Sequence, residues 1–171
     1  FPDTYEVYED ATVEDVLKKM LARMDFFIDK GAKELFQFND MNVHEALTMA
    51  SIVEREVRGF EDRRRVVDIL IRRRAINWAL QVDSTVNYIT GGNNPSVSTK
   101  DTKIDSFYNT YKYPGLPLGP IAMPSRETLE AVGNPAGNTD NYFLTDTEGN
   151  VHYAETLAEH NENVAKYLHN D

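Results

Sequence analysis

Apolar residues recur at intervals of three and four near the start of the chain, which is the spacing of one helical face. These positions are Val13, Val16, Leu17, Met20, Leu21, Met24, Phe27 and Ile28. Thr12 with Asp15 resembles a capping box, the pairing that opens many helices. The pattern therefore predicts an amphipathic helix over residues 12–37, with Gly31 as a candidate breaker.

A second helix is predicted over residues 43–57, where Asn42 and Glu45 stand in capping-box register. Its apolar residues point in nearly all directions around the axis; they are Leu47, Met49, Ala50, Ile52 and Val53. A helix that is apolar all round is typically buried. This buried helix nevertheless carries Glu54 and Glu56 near its end.

The next segment indicates a third helix over residues 61–78, with an apolar interior and the arginine run 72–74. Cations suit the carboxyl end of a helix, so the run is interpreted as a solvated helix end. Residues Leu80 to Ile89 then resemble a strand.

The remaining chain mixes irregular and regular structure. Residues 113–124 hold too many prolines and glycines for a helix, and their aliphatic residues favour an ordered loop. A helix begins near Ser125, and a glycine turn joins Tyr142–Thr145 to Val151–Tyr153 as a hairpin. A capping box opens a last helix over about 157–169. The expected fold is α+β, a mixed helical domain with a small β-sheet, covering residues 1–171 as one domain.

Charge and composition narrow the function. The formal net charge of −10 argues against a nucleic-acid binder and against docking on anionic lipid. No cysteine is present, which excludes disulfides, thiol catalysis and cysteine zinc sites. The four histidines show no metal-ligand spacing with a carboxylate, so neither a metal nor another cofactor is expected.

The two glutamates of the second helix are the strongest chemical lead. Two positions on a helix correspond to about 200° of rotation, so Glu54 and Glu56 should point to opposite sides. Each emerges from apolar surroundings, which should raise its pKa. A glutamic acid that stays protonated is what glycosidic cleavage needs as a general acid. Structural ion pairing with Arg55, Arg58 or the later arginines is the competing interpretation.

A second lead is a group of amide, hydroxyl, carboxyl and aromatic side chains outside the clear helices. The group comprises Gln81, Asp83, Tyr88, Tyr108, Asn109, Thr110 and Tyr111. Sugar sites use this mixture, but tyrosines at the rim of an ordinary core produce it as well.

Several blocks of the chain are similar, in order, to one family. They are Met49 to Glu56, Leu80 to Val86, Tyr108 to Tyr111 with Gly115 to Pro117, Pro120 to Ala122, Asn134 to Ala136, Tyr142 to Phe143 and Thr156 to Asn161. Together they resemble the catalytic domain of the endolytic murein transglycosylases, the MltG or YceG-like family.

The resemblance implies a lyase that cuts the bond between N-acetylmuramic acid and N-acetylglucosamine without water and leaves a 1,6-anhydro end. The Ile52-to-Glu56 spacing resembles the end of the catalytic helix in lytic transglycosylases. The resemblance thus makes Glu56 the acid and base, and Glu54 a supporting residue. Gln81, Tyr108 and Asn109 would line a sugar cleft, Asp83 would hold a strand or loop, and the proline-rich segment would form a wall. A lysozyme-like arrangement, with the glutamate facing a cleft, follows.

The resemblance also implies a longer parent protein, with a membrane helix and a LysM-like portion before this fragment. Such a protein would act at the outer face of the cytoplasmic membrane on peptidoglycan glycan strands, near cell-wall synthesis proteins. Ser84 and Leu118 stand where the family usually has proline, and both should lie beside the cleft.

Two alternatives stay open at this point. A hydrolytic muramidase would add a second carboxylate, for which Asp83 is the candidate. A catalytically silent peptidoglycan-binding domain would bind glycan without cutting it.

Overall fold

The computed structural model describes residues 2–92 and 97–168, which form an α+β fold as predicted. Its α-helices, α1 to α7, are Val13–Phe27, Lys33–Phe38, Val43–Glu56, Phe60–Ala75, Asp83–Thr90, Arg126–Gly133 and Leu157–Tyr167. Strands β1 (Tyr142–Thr145) and β2 (Val151–Ala154) pair antiparallel, with Phe143 opposite Tyr153. A π-helical segment, Ile28–Ala32, joins α1 to α2, and Asp101–Lys103 forms one 3₁₀ turn.

Helix α3 lies at the centre of the fold, packed against α4 and α6. Seven of its residues are buried; they are Ala46, Thr48, Met49, Ala50, Ser51, Ile52 and Val53. The Asn42 and Glu45 capping box is present, so the sequence correctly predicts both the start and the burial of this helix. Burial on all sides fixes the helix and therefore the two glutamates at its end.

The long amphipathic helix is confirmed with one interruption. Thr12 and Asp15 form the predicted capping box at the start of α1. Gly31 adopts a φ of 108° within the π-helical segment, so the run continues into α2 with a changed hydrogen-bond pattern. None of the α1 residues is buried.

The predicted strand over Leu80 to Ile89 is wrong, because Asp83–Thr90 forms α5. The valines and threonines of this segment favour strands when taken alone. In the fold, however, Thr85 and Val86 are fully buried, and Gly91 ends the helix in the left-handed conformation. Packing of one helical face outweighs the local preference for a strand.

The interpretation of the arginine run as a solvated helix end is also wrong for Arg73, which is only 6% exposed. Its guanidinium donates to the carbonyl oxygens of Leu80 and Asn141, at 2.5 and 2.6 Å. It also lies 5.1 Å from the centre of the Trp78 ring and 5.5 Å from that of Tyr142. Arg73 thus joins the end of α4 to the hairpin.

The proline-rich segment 113–124 is an ordered loop held on α3. His44 Nε2 lies 3.0 Å from the carbonyl oxygen of Leu118, and the Ile121 N–H donates to Ser51 Oγ at 2.9 Å. Ser125 then caps α6, and the sequence correctly predicts that a helix begins near this residue. Because both anchors lie on α3, the loop has a fixed position relative to the glutamates.

The C-terminal elements agree with the sequence-based expectation. The hairpin is present, the Thr156 and Glu159 capping box opens α7, and α7 packs against both strands. Within residues 2–92 and 97–168, none of the helices has the length and apolar character that crossing a bilayer requires.

Candidate active site

A cleft of about 740 Å³ lies beside the carboxyl end of α3. Its lining comes from that helix end, from residues 81–84 and 87 at the start of α5, from the hairpin residues 142–149 and from one face of α7. Both Glu54 and Glu56 belong to the lining, together with Gln81 and Asp83. The fold thus brings four of the six predicted site residues to one cleft.

Glu56 is the last residue of α3 and is partly buried in this cleft. Its Oε1 atom accepts a hydrogen bond of 3.2 Å from the backbone N–H of Ser84. Burial raises the pKa of Glu56, the neighbouring charge of Asp83 adds to this rise, and the contacts with Ser84 and Arg55 oppose it. The net effect favours the protonated carboxyl group, as the sequence predicted for this residue.

The carboxylate of Glu54 has a different environment. It accepts from the backbone N–H and the hydroxyl of Ser125, at 2.9 and 2.8 Å, and from the hydroxyl of Thr128. Arg63, itself 8% exposed, lies 3.3 Å from the other oxygen. Burial alone would raise the pKa of Glu54, but these donors and the guanidinium lower it below the ordinary value. The prediction of a raised pKa is therefore wrong for Glu54, and the ion-pairing interpretation is confirmed there.

Asp83 lies in the first turn of α5, next to Ser84 and close to Glu56. The Tyr111 hydroxyl donates a hydrogen bond to Asp83 Oδ1. Burial raises the pKa of Tyr111, and this hydrogen bond and the charge of Asp83 add to the rise, which keeps the hydroxyl protonated. The Tyr111 hydroxyl is therefore a constant hydrogen-bond donor to Asp83 in the wall of the cleft.

Gln81 combines an unusual backbone with an exposed side chain. Its φ is 53°, in the left-handed region that few residues other than glycine, asparagine and aspartate adopt. The Gln81 N–H donates to the carbonyl oxygen of Thr110 at 3.1 Å, and the Val82 N–H donates to the Thr110 hydroxyl at 3.2 Å. Strained backbone of this kind clusters at functional sites, and here it places an amide side chain in the cleft.

Tyr108 and Asn109 do not line this cleft. Asn109 is fully buried, and its amide donates to the carbonyl oxygens of Thr102 and Ile104, at 3.0 and 2.8 Å. The Tyr108 ring packs on Tyr88, with ring centres 5.0 Å apart. The structure thus places neither residue in this cleft, since Asn109 shapes its own turn and Tyr108 packs on Tyr88.

The proline-rich loop is likewise absent from the cleft lining, as is Leu118 within it. The loop instead covers the part of α3 that carries His44 and Ser51. The expectation of a proline-rich wall is therefore wrong. Ser84, the other departure from the family pattern, does line the cleft as expected.

The hairpin and α7 supply the wall that the sequence did not predict. Tyr142 and His160 stack with ring centres 5.2 Å apart and an interplanar angle of 23°. Burial and the charge of Arg73 lower the pKa of His160, which keeps its ring neutral. Thr145 Oγ1 donates to the backbone carbonyl of Glu56 at 3.1 Å and so fixes the hairpin to α3. His160 and the hairpin were recognisable in the sequence, but no local signal places either of them opposite α3.

The chemistry available in this cleft is acid and base catalysis. Residues 2–92 and 97–168 contain no group of three histidine, aspartate or glutamate side chains placed to hold a metal ion. The cleft instead offers one carboxyl group of raised pKa, a neighbouring carboxylate and several hydroxyl, amide and aromatic groups.

A buried helix that ends in a glutamate of raised pKa beside an open cleft is an arrangement of the kind that general-acid sites use. Comparison with known proteins makes the assignment narrower. The model of the YceG-like family matches residues 1–166, and the chain therefore belongs to that family.

Relatives and a solved structure agree with this. The chain is 37% identical to the endolytic murein transglycosylase of Bacillus subtilis (strain 168), over 98% of this chain and 47% of the relative. It is 36% identical to the protein of the same name from Streptococcus pneumoniae (strain D39), over 98% of this chain and 31% of the relative. A crystal structure of a yceG-like protein from Listeria monocytogenes superposes with a TM-score of 0.84 at 36% identity, covering 95% of this chain and 53% of the other. The chain thus spans less than half the length of these two curated relatives.

Proposed function

We propose that this chain is the catalytic domain of an endolytic peptidoglycan lytic transglycosylase in which Glu56 acts as both acid and base. The observation that carries the proposal is the raised pKa of Glu56 at the edge of a cleft of about 740 Å³. The names of the curated relatives support the same activity and substrate. A lysozyme-like arrangement, with the acid at the end of a buried helix, is part of the proposal.

The reaction requires one group that gives and then takes a proton. The protonated Glu56 carboxyl group donates its proton to the glycosidic oxygen, the bond from that oxygen to C1 of N-acetylmuramic acid breaks, and the oxygen keeps the electron pair. The C6 hydroxyl oxygen of the same sugar then forms a bond to C1. Its proton passes to the Glu56 carboxylate, which restores the acid and leaves a 1,6-anhydro end. No water is consumed.

Other groups of the cleft bind and orient the glycan in this proposal. The exposed amide of Gln81 is available to sugar hydroxyls and N-acetyl groups, and the stacked rings of Tyr142 and His160 form an apolar face. Glu54 does not react, because its carboxylate is already occupied by Ser125, Thr128 and Arg63. Asn109 supports the turn that carries Tyr111, whose N–H donates to the Asn109 side-chain oxygen, and Tyr108 packs on Tyr88.

The same proposal gives the site of action. Peptidoglycan lies outside the cytoplasmic membrane, so the domain works there. A membrane anchor in the longer protein would bring it close to cell-wall synthesis proteins.

The decisive experiment is digestion of purified peptidoglycan by the parent and by Glu56→Gln, with products identified by mass spectrometry. We expect anhydro-muramyl products from the parent and a rate lower by about 10² to 10⁴ for the variant, which is the usual effect of losing a general acid. Glu148→Gln is the matched control, because Glu148 is a carboxylate of the same cleft on the opposite wall. Equal rates for the parent and Glu56→Gln would refute the assignment.

Product chemistry separates the lyase from a hydrolytic muramidase. The position of Asp83 beside Glu56 is the observation that favours hydrolysis, since a hydrolase needs a second carboxylate. Reducing ends in place of anhydro ends would establish the hydrolase. Binding of glycan strands without cleavage would support the silent binding domain.

A further inference from the structure

Ser84 has an unusual place relative to the proposed acid. It is the second residue of α5, and its backbone N–H points to Glu56 Oε1 at 3.2 Å. The first N–H groups of a helix have no acceptor within the helix, so this one is available to a carboxylate. The amino end of a helix also favours negative charge.

The side chain of Ser84 is unusual as well. Its hydroxyl oxygen is buried and has no hydrogen-bond partner within the described residues. The Ser84 hydroxyl acts on the Glu56 carboxyl group and lowers its pKa. The two groups are nevertheless not oriented as a hydrogen bond requires. A buried hydroxyl without a partner is costly, and such a group in a native fold calls for an explanation.

We infer that Ser84 is a positioning residue whose N–H and hydroxyl together hold the anionic form of Glu56 during turnover. The inference rests on the proposed function. A hydroxyl donates to a carboxylate and accepts from a carboxylic acid, so rotation of one bond serves both states of Glu56.

The two proton transfers explain why such a residue is useful. When Glu56 gives its proton to the leaving oxygen, a full negative charge appears on a partly buried carboxyl group beside Asp83. Two donors from Ser84 then offset the cost of that charge. When Glu56 takes the proton of the C6 hydroxyl, the charge disappears and both contacts weaken.

Three substitutions at this position separate the two donors. Ser84→Ala keeps the N–H and removes the hydroxyl, Ser84→Pro removes both, and Ser84→Thr keeps both. Proline is tolerated in the first turn of a helix, because the N–H it lacks has no acceptor within the helix itself. Thr90→Ala is the matched control, since Thr90 lies at the far end of α5 and its hydroxyl bonds within the helix.

The measurement is the rate of glycan cleavage as a function of pH, with the melting temperature of each variant. Glu56 must be protonated to act, so the fall in rate at high pH reports its pKa. Loss of a donor to the anion should move that fall to higher pH in Ser84→Ala and further in Ser84→Pro. The maximal rate should drop at least about tenfold to a hundredfold in Ser84→Pro, because that is the usual effect of losing one hydrogen bond to a charged group and this variant lacks the N–H bond and the hydroxyl together. Ser84→Thr should keep the pH profile of the parent, because both donors remain.

An unchanged pH profile in Ser84→Ala and Ser84→Pro, with cleavage retained, would overturn the inference while leaving the proposed function intact. If Ser84→Pro melts early, the profile of Ser84→Ala decides the matter, because that variant keeps the backbone unchanged. Full activity of Glu56→Gln would instead refute the proposed function, whatever the Ser84 variants do.

Discussion

Glu54 and Glu56 lie two residues apart on one helix and line one cleft, but their pKa values are shifted in opposite directions. Glu54 meets three donors and a guanidinium, which lower its pKa despite burial. Glu56 meets one backbone donor and a neighbouring aspartate, and burial raises its pKa. Identical side chains on the same buried helix thus have pKa shifts of opposite direction, because different elements approach them.

The same difference divides the roles of the two residues. The Glu54 carboxylate joins α3 to Arg63 of α4 and to the capping residues of α6, so it is part of the framework. Glu56 accepts a single hydrogen bond of 3.2 Å from α5, and in the proposed mechanism its carboxyl group exchanges a proton with the substrate. Substitution of each residue should therefore affect different properties.

The largest effect is expected from Glu54→Gln, measured as the free energy of unfolding in urea. The neutral amide would leave the buried guanidinium of Arg63 with Glu127 as its remaining partner and would weaken the donors of Ser125 and Thr128. We expect the free energy of unfolding to fall by about 2–3 kcal/mol. This is less than the loss on breaking a fully buried ion pair, because the Glu54 side chain is partly exposed.

Glu130→Gln is the control for Glu54→Gln, because Glu130 forms an exposed pair with Arg126. Such pairs contribute little, so its stability should change by less than about 1 kcal/mol. If Glu54→Gln were as stable as this control but inactive, the roles of the two glutamates would have to be exchanged.

The pH dependence of stability should have opposite signs at the two residues. Glu54 has a lowered pKa in the folded state, so its contribution is present above its ordinary pKa of 4.5 and is lost as the pH falls through the folded value. Glu56 has a raised pKa, so the folded state binds more protons, and stability falls as the pH rises from 4.5 through the folded value.

Unfolding of the parent, Glu54→Gln and Glu56→Gln in urea at a series of pH values tests these signs. Glu56→Gln should gain stability relative to the parent at neutral pH, and Glu54→Gln should lose it. At a pH below both folded pKa values the two differences should shrink. The same sign for both variants at neutral pH would contradict the comparison.

The sequence alone predicts the helix but not this contrast. Apolar residues on all sides of α3 show that Glu54 and Glu56 end a buried helix, and the capping box gives its start. The donors that separate the two carboxylates come from residues far along the chain. Ser125 is 71 positions from Glu54, and Ser84 is 28 positions from Glu56. Local pattern contains no information on such pairings.

The wrong predictions have the same physical origin. The segment of α5 carries strand-forming valines and threonines, yet burial of one helical face decides its structure. The family resemblance implied that the proline-rich loop forms a cleft wall, yet contacts with α3 place it elsewhere. The wall comes from a hairpin whose turn is evident in the sequence and whose location is not.

Asp83→Asn tests how far the neighbouring charge maintains the proton on Glu56. Removal of this charge should lower the pKa of Glu56 and move the fall in cleavage rate to lower pH. The maximal rate should fall by less than the 10² typical of a group that transfers a proton. Tyr111→Phe is the matched control, since it removes the donor to Asp83 and keeps the charge. A loss of 10² or more in Asp83→Asn alone would support the hydrolytic mechanism.

Thr145→Val should have the smallest effect, and it acts on the hairpin wall of the cleft. Its hydroxyl donates to the backbone carbonyl of Glu56, and valine keeps the shape while removing the donor. We expect a loss of about 1 kcal/mol in the free energy of unfolding and a weaker apparent affinity for glycan, because the hairpin is less firmly held. The pH profile should stay in place, since the carboxyl group of Glu56 keeps Ser84 and Asp83 as neighbours. Thr147→Val, on the exposed turn of the same hairpin, is the control. A shifted profile in Thr145→Val would mean that the hairpin also determines the protonation of Glu56, and the contrast with Glu54 would then depend on three elements rather than two.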